Sequence, residues 1–264
     1  MELRGKRVVV TGASRGIGEE LARQFGAKGA TVAVVARSAE PLARLAADIG
    51  GKAYPADLMD RTARDALIPQ ILADGPIDVL VNNAGLLDTF DFTTTAAADI
   101  DAIIDVNLHA PIQLTHAVLP SMLARDSGMI VDISSMAGST VNPGIVTYSA
   151  TKAGLSHFSA CLRNNELMGT GVGALIVELG PVETDMEVML HQHPPTHRAM
   201  VRLRRLRLIR NLPPARVAGA IVQSVEKDRT YLRMPKRAAA FPILAAVPRQ
   251  VGRLLLAGID RRST

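Results

Sequence analysis

The sequence predicts a single α/β domain built on a doubly wound parallel β-sheet of about seven strands, with helices on both faces. Short runs rich in Val, Ile and Leu alternate with segments of helical periodicity along most of the chain, a pattern typical of repeated βαβ units. The first apolar run leads directly into a glycine-rich turn. A chain of 264 residues with 48% hydrophobic content can bury one large core, so we expect one domain.

The strands and helices follow one another in a regular order. The predicted strands are KRVVVTG (6–12), ATVAVVARS (30–38), GKAYPADL (51–58), IDVLVNNAG (77–85), GMIVDISS (128–135), VGALIVELG (172–180) and RTYLRM (229–234). Helices are expected near residues 16–28, 39–49, 62–73, 96–124 and 148–168. This alternation is Rossmann-like, and in such folds ligands bind beyond the carboxyl ends of the strands.

The chain divides into three parts within this one domain. Residues 1–190 are predicted to form the dinucleotide-binding and catalytic core. Residues 185–215 are predicted to form a substrate loop or lid, because DMEVMLHQHPPTHRAM, which follows Thr184, carries two adjacent prolines typical of a mobile loop. Residues 216–264 form a C-terminal part with the last strand and a basic and apolar extension.

Cysteine usage and hydropathy favour a cytoplasmic location. The single cysteine, Cys161, excludes an internal disulfide and lies in an apolar run, FSACL, where a packed thiol is expected. No signal peptide or membrane-spanning helix is expected. The late apolar run AAAFPILAAV (238–247) is too short to cross a bilayer and contains a proline.

The positive charge is concentrated in one segment. Seven arginines and no acidic residue lie between Val188 and Val225, whereas the whole chain has a net charge of +5. Within HRAMVRLRRLRLIR (197–210), one helical stripe would hold Ala199, Met200, Leu203, Leu206 and Ile209. Such a helix could cap a substrate pocket, join subunits, contact an acidic partner or lie on an anionic membrane.

Two other binding functions are disfavoured. An aromatic content of 3% argues against nucleic-acid binding, which commonly uses aromatic stacking. His191, His193 and His197 lie in a proline-containing loop without the acid or cysteine partners of a typical metal site, so we predict no bound metal.

The first turn has the features of a dinucleotide site. In VVVTGASRGIGEELA, Gly12, Gly16 and Gly18 stand between a strand and a helix. Glycines let backbone amides approach a pyrophosphate, and the N-terminus of the following helix attracts its negative charge. A plain tight turn is the alternative.

The end of the second strand favours NADP(H) over NAD(H). A carboxylate there would bind the ribose diol, but the strand ends in Ala36-Arg37-Ser38. Arg15 in the glycine turn can approach the same 2′-phosphate from the other side, and guanidinium groups match phosphate geometry. Alternatively, both arginines are solvated surface charges.

Five ordered motifs resemble the short-chain dehydrogenase/reductase family, in its shorter chain type. They are TGASRGIG, VNNAG, the serine in DISSMAG, YSATK and GPVETDM, and they span about residues 5–190. The resemblance implies an NAD(P)-dependent oxidoreductase that reduces a carbonyl or oxidises a secondary alcohol. It also implies a homodimer or homotetramer.

The resemblance implies four catalytic residues. Tyr148 would be the general acid/base, and Lys152, one helical turn away, would lower the tyrosine pKa and hold the nicotinamide ribose. Ser135, thirteen residues before Tyr148, would bind the substrate oxygen, with Ser134 as the less favoured choice. Asn107 in DVNLHAP would hold a water of the proton relay, or be an ordinary polar helix residue.

Cofactor contacts follow from the same motifs. Asp57 and the Leu58 backbone are expected at the adenine, and Val182 with Thr184 at the nicotinamide carboxamide. Asn83 and Gly85 are expected along the adenosine side, or as braces between the central strands. The complete predicted set is Gly12, Ser14, Arg15, Gly16, Ile17, Gly18, Arg37, Asp57, Leu58, Asn83, Gly85, Tyr148, Lys152, Pro181, Val182 and Thr184.

Several functional alternatives stay open. The substrate is expected to be an apolar carbonyl or alcohol, from the apolar loop and the run PILAAVPRQVGRLLLAGI. Residues 197–210 offer a possible peripheral membrane contact. A non-catalytic dinucleotide sensor or scaffold, or a lipid-handling protein at the membrane surface, would be the rival functions.

Leu179 stands where the family usually has proline, which puts the geometry of the following loop in question.

Overall fold

The computed structural model describes residues 1–87, 91–207 and 209–235. Its centre is a parallel sheet of seven strands in the order β3-β2-β1-β4-β5-β6-β7. The strands are β1 (Arg7–Thr11), β2 (Thr31–Ala36), β3 (Lys52–Pro55), β4 (Val79–Asn82), β5 (Gly128–Ser135), β6 (Val172–Leu179) and β7 (Tyr231–Met234). All seven predicted strands are confirmed, and so is the doubly wound fold.

Nine α-helices connect the strands in the described part of the chain. They are α1 (Gly16–Ala27), α2 (Ala39–Ile49), α3 (Arg61–Ala73), α4 (Ala97–Ile104), α5 (Ala110–Ala124), α6 (Val146–Cys161), α7 (Asp185–Leu190), α8 (Pro194–Arg205) and α9 (Pro214–Glu226). Wider π-helical turns follow α4 at Asp105–His109 and α6 at Leu162–Glu166. The two long helices predicted at 96–124 and 148–168 therefore exist, but each includes a wide turn.

The core has two layers, one on each face of the sheet. On one face, α1, α2 and α9 pack their apolar stripes against the strands, with Leu21, Phe25 and Ile221 fully buried. On the other face, α3 and α5 do the same through residues such as Ile71 and Leu114. Because apolar surface is buried on both faces, the strands need the continuous β-branched runs seen in the sequence.

The region after Thr184, predicted as a loop or lid, contains two helices, α7 and α8. Pro194 and Pro195 begin α8 and do not break it. A proline in the first helical turn loses no hydrogen bond, because the N–H groups there have no partner within the helix. The adjacent prolines therefore mark the start of a helix.

Two further expectations concern single segments. Cys161 is exposed and not packed, since it ends α6 with its Sγ 3.5 Å from His157 Nε2. Residues 238–247 lie outside the described residues. Within the described ranges, no helix is long and apolar enough to cross a membrane.

Candidate active site

A cleft of about 1560 Å³ opens at the carboxyl ends of the strands. In a parallel sheet these ends share one edge, so residues far apart in sequence meet there. The register pairs Thr11 with Val35 and Ser135 with Leu179, which aligns the ends of β1 with β2 and of β5 with β6. The glycine turn, the ends of β4 to β6, and helices α6, α7 and α8 line the cleft.

The glycine turn has a backbone that other residues could not adopt easily. Gly12 and Gly16 have φ angles of 65° and 60°. A Cβ at Gly18 would lie 2.2 Å from the carbonyl oxygen of Gly12, closer than any van der Waals contact permits. The turn can therefore bring backbone and the start of α1 against a ligand, and it fits a pyrophosphate.

Asn83 and Thr11 hold this turn in place. Asn83 Nδ2 donates to the carbonyl oxygens of Thr11 at 2.9 Å and Gly12 at 3.3 Å. Thr11 Oγ1 accepts from the backbone amides of Asn83 at 3.0 Å and Ala84 at 3.1 Å. Of the two roles expected for Asn83, the structure provides the bracing of the central strands.

The arginines predicted at the 2′-phosphate are both exposed and both line the cleft. Arg15 Nη1 lies 2.8 Å from Asp185 Oδ2 at the start of α7. Arg37 directly follows β2. Asp57 lines the same end, and its Oδ1 accepts from Met59 N at 3.0 Å. A 2′-phosphate would thus meet two cations at this end.

Ser135 and Tyr148 meet at the other end of the cleft. The Ser135 hydroxyl lies close enough to that of Tyr148 to lower the pKa of the phenol. Ser135 Oγ also accepts from Ala137 N at 3.1 Å and donates to the carbonyl oxygen of Leu179 at 3.3 Å. By contrast, Ser134 Oγ lies behind the site, where it donates to the carbonyl oxygen of Lys152 at 2.9 Å. The structure brings Ser135, and not Ser134, to the tyrosine.

Burial dominates the acidity of Tyr148. It raises the pKa of the phenol, and the hydrogen bond with Ser135 lowers that pKa only in part. This is opposite to the lowering expected from Lys152. The physical reason is that the tyrosine is 9% exposed, and a buried phenolate loses its hydration.

Lys152 lies close to the tyrosine in a buried position. Its Nζ is 5.7 Å from the centroid of the Tyr148 ring and donates to the carbonyl oxygen of Ile133 at 2.8 Å. Burial lowers its pKa to about 8, while the negative charge of Asp132 raises it. At physiological pH, a fraction of the Lys152 side chains is therefore unprotonated.

Asn107 lies in the π-helical turn and is completely buried. Its Oδ1 accepts from Leu86 N at 2.7 Å, and its Nδ2 donates to Leu86 O at 2.8 Å and Thr151 Oγ1 at 3.2 Å. The amide group thus fastens the chain after β4 to α6. A Cβ on Gly85 would lie 3.4 Å from Asn107 Oδ1 and 3.7 Å from Lys152 Nζ. Gly85 therefore belongs to the catalytic end, and not to the adenosine side.

The segment after β6 returns to the sheet despite Leu179. Gly180 N donates to the carbonyl oxygen of Met234 at 2.8 Å. A β-bridge pairs Val182 with Leu212, so the segment from 183 to 211 leaves and rejoins the core at one place. Thr184 then lies against the glycine turn, with its Cγ2 3.2 Å from a Cβ built on Gly16. Pro181, Val182 and Thr184 all line the cleft, as predicted.

Helices α7 and α8 form an apolar wall beside the tyrosine. Met200, Leu203 and Ile209 are buried together with Leu190 packed against them, and all four line the cleft. Most of the apolar stripe predicted within residues 197–210 therefore faces the cleft. Leu206 does not belong to it, since the Leu206 side chain is 52% exposed, whereas Ile209, also beyond the end of α8, is buried.

The three histidines fix this wall. His191 Nε2 lies 2.8 Å from Glu187 Oε1, and its Nδ1 lies 2.7 Å from His197 Nδ1. His193 is buried and contacts Thr196 at 2.8 Å and Asp91 at 3.3 Å. Folding brings Asp91 to His193, whereas Glu187 lies only four residues before His191 in the sequence. In the described chain, no group of three His, Cys, Asp or Glu side chains is arranged to hold a metal.

One residue of the site was missed by the sequence analysis. Asp132 is completely buried on β5, three residues before Ser135. Burial raises its pKa to about 6, and Lys152 lowers that pKa through its charge. The available signal was an acid within a strand predicted to be buried, since unpaired carboxylates are rarely buried.

Comparison with known proteins agrees with this geometry. The sequence model of the short chain dehydrogenase family matches residues 6–194. Ketoacyl reductase HetN of Nostoc sp. (strain PCC 7120) is 38% identical over 235 residues, which cover 86% of this chain and 78% of that protein. The 3-oxoacyl-[acyl-carrier-protein] reductase FabG of Escherichia coli (strain K12) is 32% identical over 223 residues, which cover 83% of this chain and 87% of that protein.

A solved structure extends the similarity to the fold. A crystal structure of an actinorhodin polyketide ketoreductase variant with NADPH superimposes with a TM-score of 0.79 at 28% identity, covering 90% of this chain and 97% of that one. The family match covers well over half of the chain and includes every predicted motif. The protein is therefore an NAD(P)-dependent oxidoreductase that belongs to the short-chain dehydrogenase/reductase family.

Proposed function

We propose that the protein is an NADP(H)-dependent reductase of apolar ketones, with Tyr148 as proton donor. The observation that carries the proposal is the pair of hydroxyls, Tyr148 and Ser135, held together beside an apolar wall. A carbonyl oxygen that gains negative charge needs a proton and a second hydrogen bond. The two hydroxyls supply these from adjacent positions.

The chain's own residues support cofactor binding along the whole cleft. The glycine turn and the first turn of α1 would hold the pyrophosphate. Arg15 and Arg37 would bind a 2′-phosphate, and Asp57 with the Leu58 backbone would contact the adenine. Ser14 and Ile17 lie within the same turn and line the cleft. When bound, the nicotinamide supplies the hydride for carbonyl reduction.

Tyr148 acts as the acid in the direction of reduction. Because burial raises its pKa, the phenol keeps its proton at neutral pH and can donate it to the substrate oxygen. Ser135 holds the same oxygen through its hydroxyl. Its own bond to the Leu179 carbonyl, at 3.3 Å, is long enough to be exchanged for a bond to substrate.

Lys152 and Asn107 support the tyrosine. A protonated Lys152 at 5.7 Å from the ring stabilises negative charge on the phenolate after proton transfer. Asn107 fixes the wide turn next to α6 through its bonds to Leu86 and Thr151. We propose that a water at this turn returns the proton by way of Lys152.

The substrate class follows from the wall and the relatives together. Met200, Leu203 and Ile209 offer an apolar surface without a charged group facing the tyrosine among the cleft-lining residues of α8. Two relatives are named as ketoacyl reductases and a solved neighbour as a polyketide ketoreductase. We propose a ketone carried on an aliphatic or acyl chain.

The decisive experiment is Tyr148→Phe assayed against a panel of ketones and acyl thioesters by NADPH absorbance. Loss of the proton donor should lower kcat by about 100-fold or more. NADPH binding, measured by fluorescence titration, should be retained. Wild-type turnover with unchanged kcat in the variant contradicts the assignment, and no turnover of any compound by the wild type favours a non-catalytic dinucleotide sensor.

Assembly and location stay predictions. A homodimer or homotetramer would be detected by light scattering during size-exclusion chromatography. The apolar stripe of residues 197–210 faces the cleft, so it no longer supports membrane contact through this segment. The exposed arginines of this segment are the remaining support, and co-sedimentation with anionic vesicles tests it. We expect no nucleic-acid binding and a cytoplasmic location.

A further inference from the structure

The buried carboxylate of Asp132 has a position that the proposed mechanism does not yet use. Asp132 lies on β5 directly before Ile133, whose carbonyl oxygen accepts from Lys152 Nζ at 2.8 Å. Alternation along the strand puts Asp132 and Ser134 on one face. Ser134 Oγ bonds the backbone of Lys152 on that same face.

Among the described residues, Lys152 is the cation whose charge acts on Asp132. From β4, Asn82 Nδ2 donates to Asp132 Oδ1 at 2.8 Å, and the same amide donates to Thr115 Oγ1 of α5 at 3.2 Å. From α6, the charge of Lys152 acts on the carboxylate, and among the described residues Asp132 Oδ2 has no hydrogen-bond partner. On β6 the residue paired with it is Ile176. Because Asn82 and Ile176 are neutral, we infer that the charge of the carboxylate acts chiefly on Lys152.

The surroundings of Lys152 are equally simple. Besides the carboxylate on β5, it faces the ring of Tyr148 on its own helix and the amide of Asn107 next to Gly85. A lone ammonium at this depth would lose its hydration and tend to release its proton. A buried cation is retained when an opposite charge is buried with it.

We propose that Asp132 is a positioning residue of the active site, whose buried carboxylate keeps the positive charge of Lys152 in place beside Tyr148. The inference rests on the proposed function, because the charge of Lys152 is useful only if Tyr148 transfers a proton. The carboxylate itself touches neither substrate nor cofactor, since the cleft is lined by its neighbours Ile133, Ser134 and Ser135 but not by Asp132.

The test is Asp132→Asn, which keeps the shape and removes the charge. The kcat/KM for ketone reduction by NADPH is measured from pH 5.5 to 10. Because asparagine resembles the protonated acid, and the pKa of Asp132 is about 6, the variant should approach the wild type at the acid end. At alkaline pH, the activity of the variant should begin to fall about one pH unit below the pH at which wild-type activity falls. Its kcat/KM should therefore be about tenfold lower than that of the wild type in this range.

The control is Asp78→Asn. Asp78 is also a buried carboxylate but lies just before β4, at the opposite end of the sheet, where it accepts from Arg7 N at 2.9 Å. This variant should lower stability without moving the pH profile. A profile of Asp132→Asn that is lowered equally at every pH would show a structural role only, and would overturn the proposal.

A measurement on the wild type covers the case in which Asp132→Asn does not fold. In protein labelled with ¹³C at lysine Cε, the Lys152 resonance is assigned by its loss in Lys152→Met. It should titrate near pH 8 and show a smaller step near pH 6, when Asp132 ionises. Absence of the lower step contradicts the coupling. This readout needs no turnover, so it stays independent of the Tyr148→Phe result.

Discussion

At the scale of single residues, the sequence indicated which side chains would line the cleft but not how deeply they would be buried. Ser135 and Tyr148 were predicted from the family resemblance, and folding brings both to the cleft. The direction of the tyrosine pKa was missed, because a four-residue spacing reveals a neighbouring cation but not the depth of burial. Asp132 was missed for a related reason, since its partners Asn82 and Lys152 come from other elements.

We propose that single charges decide between NADPH and NADH. In Arg37→Asp, a carboxylate would replace the cation at the end of β2 and repel a 2′-phosphate, while it could accept from a ribose diol. We expect KM for NADPH to rise about 100-fold, because its 2′-phosphate loses a contact with a cation and meets a negative charge instead. KM for NADH should change much less, because NADH has no 2′-phosphate. Initial-rate kinetics with both cofactors check this. Equal changes for the two would remove Arg37 from the phosphate site.

At the scale of elements, the strands were easier to predict than the helices that follow β6. The seven strands carry their own signal in β-branched runs, which suit a sheet buried on both faces. Helix α8 gives an ambiguous signal, because adjacent prolines begin loops and helices alike. Its amphipathic pattern was recognised, yet the pattern could not say which surface the stripe would cover, nor that the helix ends before Leu206.

The wall formed by α8 can be tested with two leucines of opposite exposure. Leu203 is buried and lines the cleft, whereas Leu206 is half exposed and does not. Leu203→Ala should raise KM for a long aliphatic ketone about tenfold, since up to ~2 kcal/mol of apolar contact is lost. Leu206→Ala should change KM by less than about twofold. Steady-state kinetics with long and short ketones, at matched thermal stability, distinguish the wall from the surface. Similar effects of both variants would argue against the wall as the substrate site.

At the scale of the whole molecule, burial of the site sets the pH dependence of the two reaction directions. In the proposed mechanism, reduction uses the protonated Tyr148, which a raised pKa favours at neutral pH. Alcohol oxidation needs the phenolate as base, so its kcat/KM should rise about tenfold per pH unit below that pKa. The measurement is kcat/KM in both directions between pH 6 and 10. An oxidation rate that stays level across this range would mean that the tyrosine is already ionised.

The β-bridge between Val182 and Leu212 affects how the substrate range of such an enzyme can change. Because Glu183 N bonds Leu212 O at 3.0 Å and Leu212 N bonds Pro181 O at 3.1 Å, both ends of the intervening segment are pinned to the core. Within this segment, Thr184 lies against the glycine turn and Asp185 pairs with Arg15, whereas Met200 and Leu203 belong to the apolar wall. Exchanging the part of the segment that follows Asp185 is thus the shortest route to a new substrate range, with the strand ends and the glycine turn inherited from the rest of the chain.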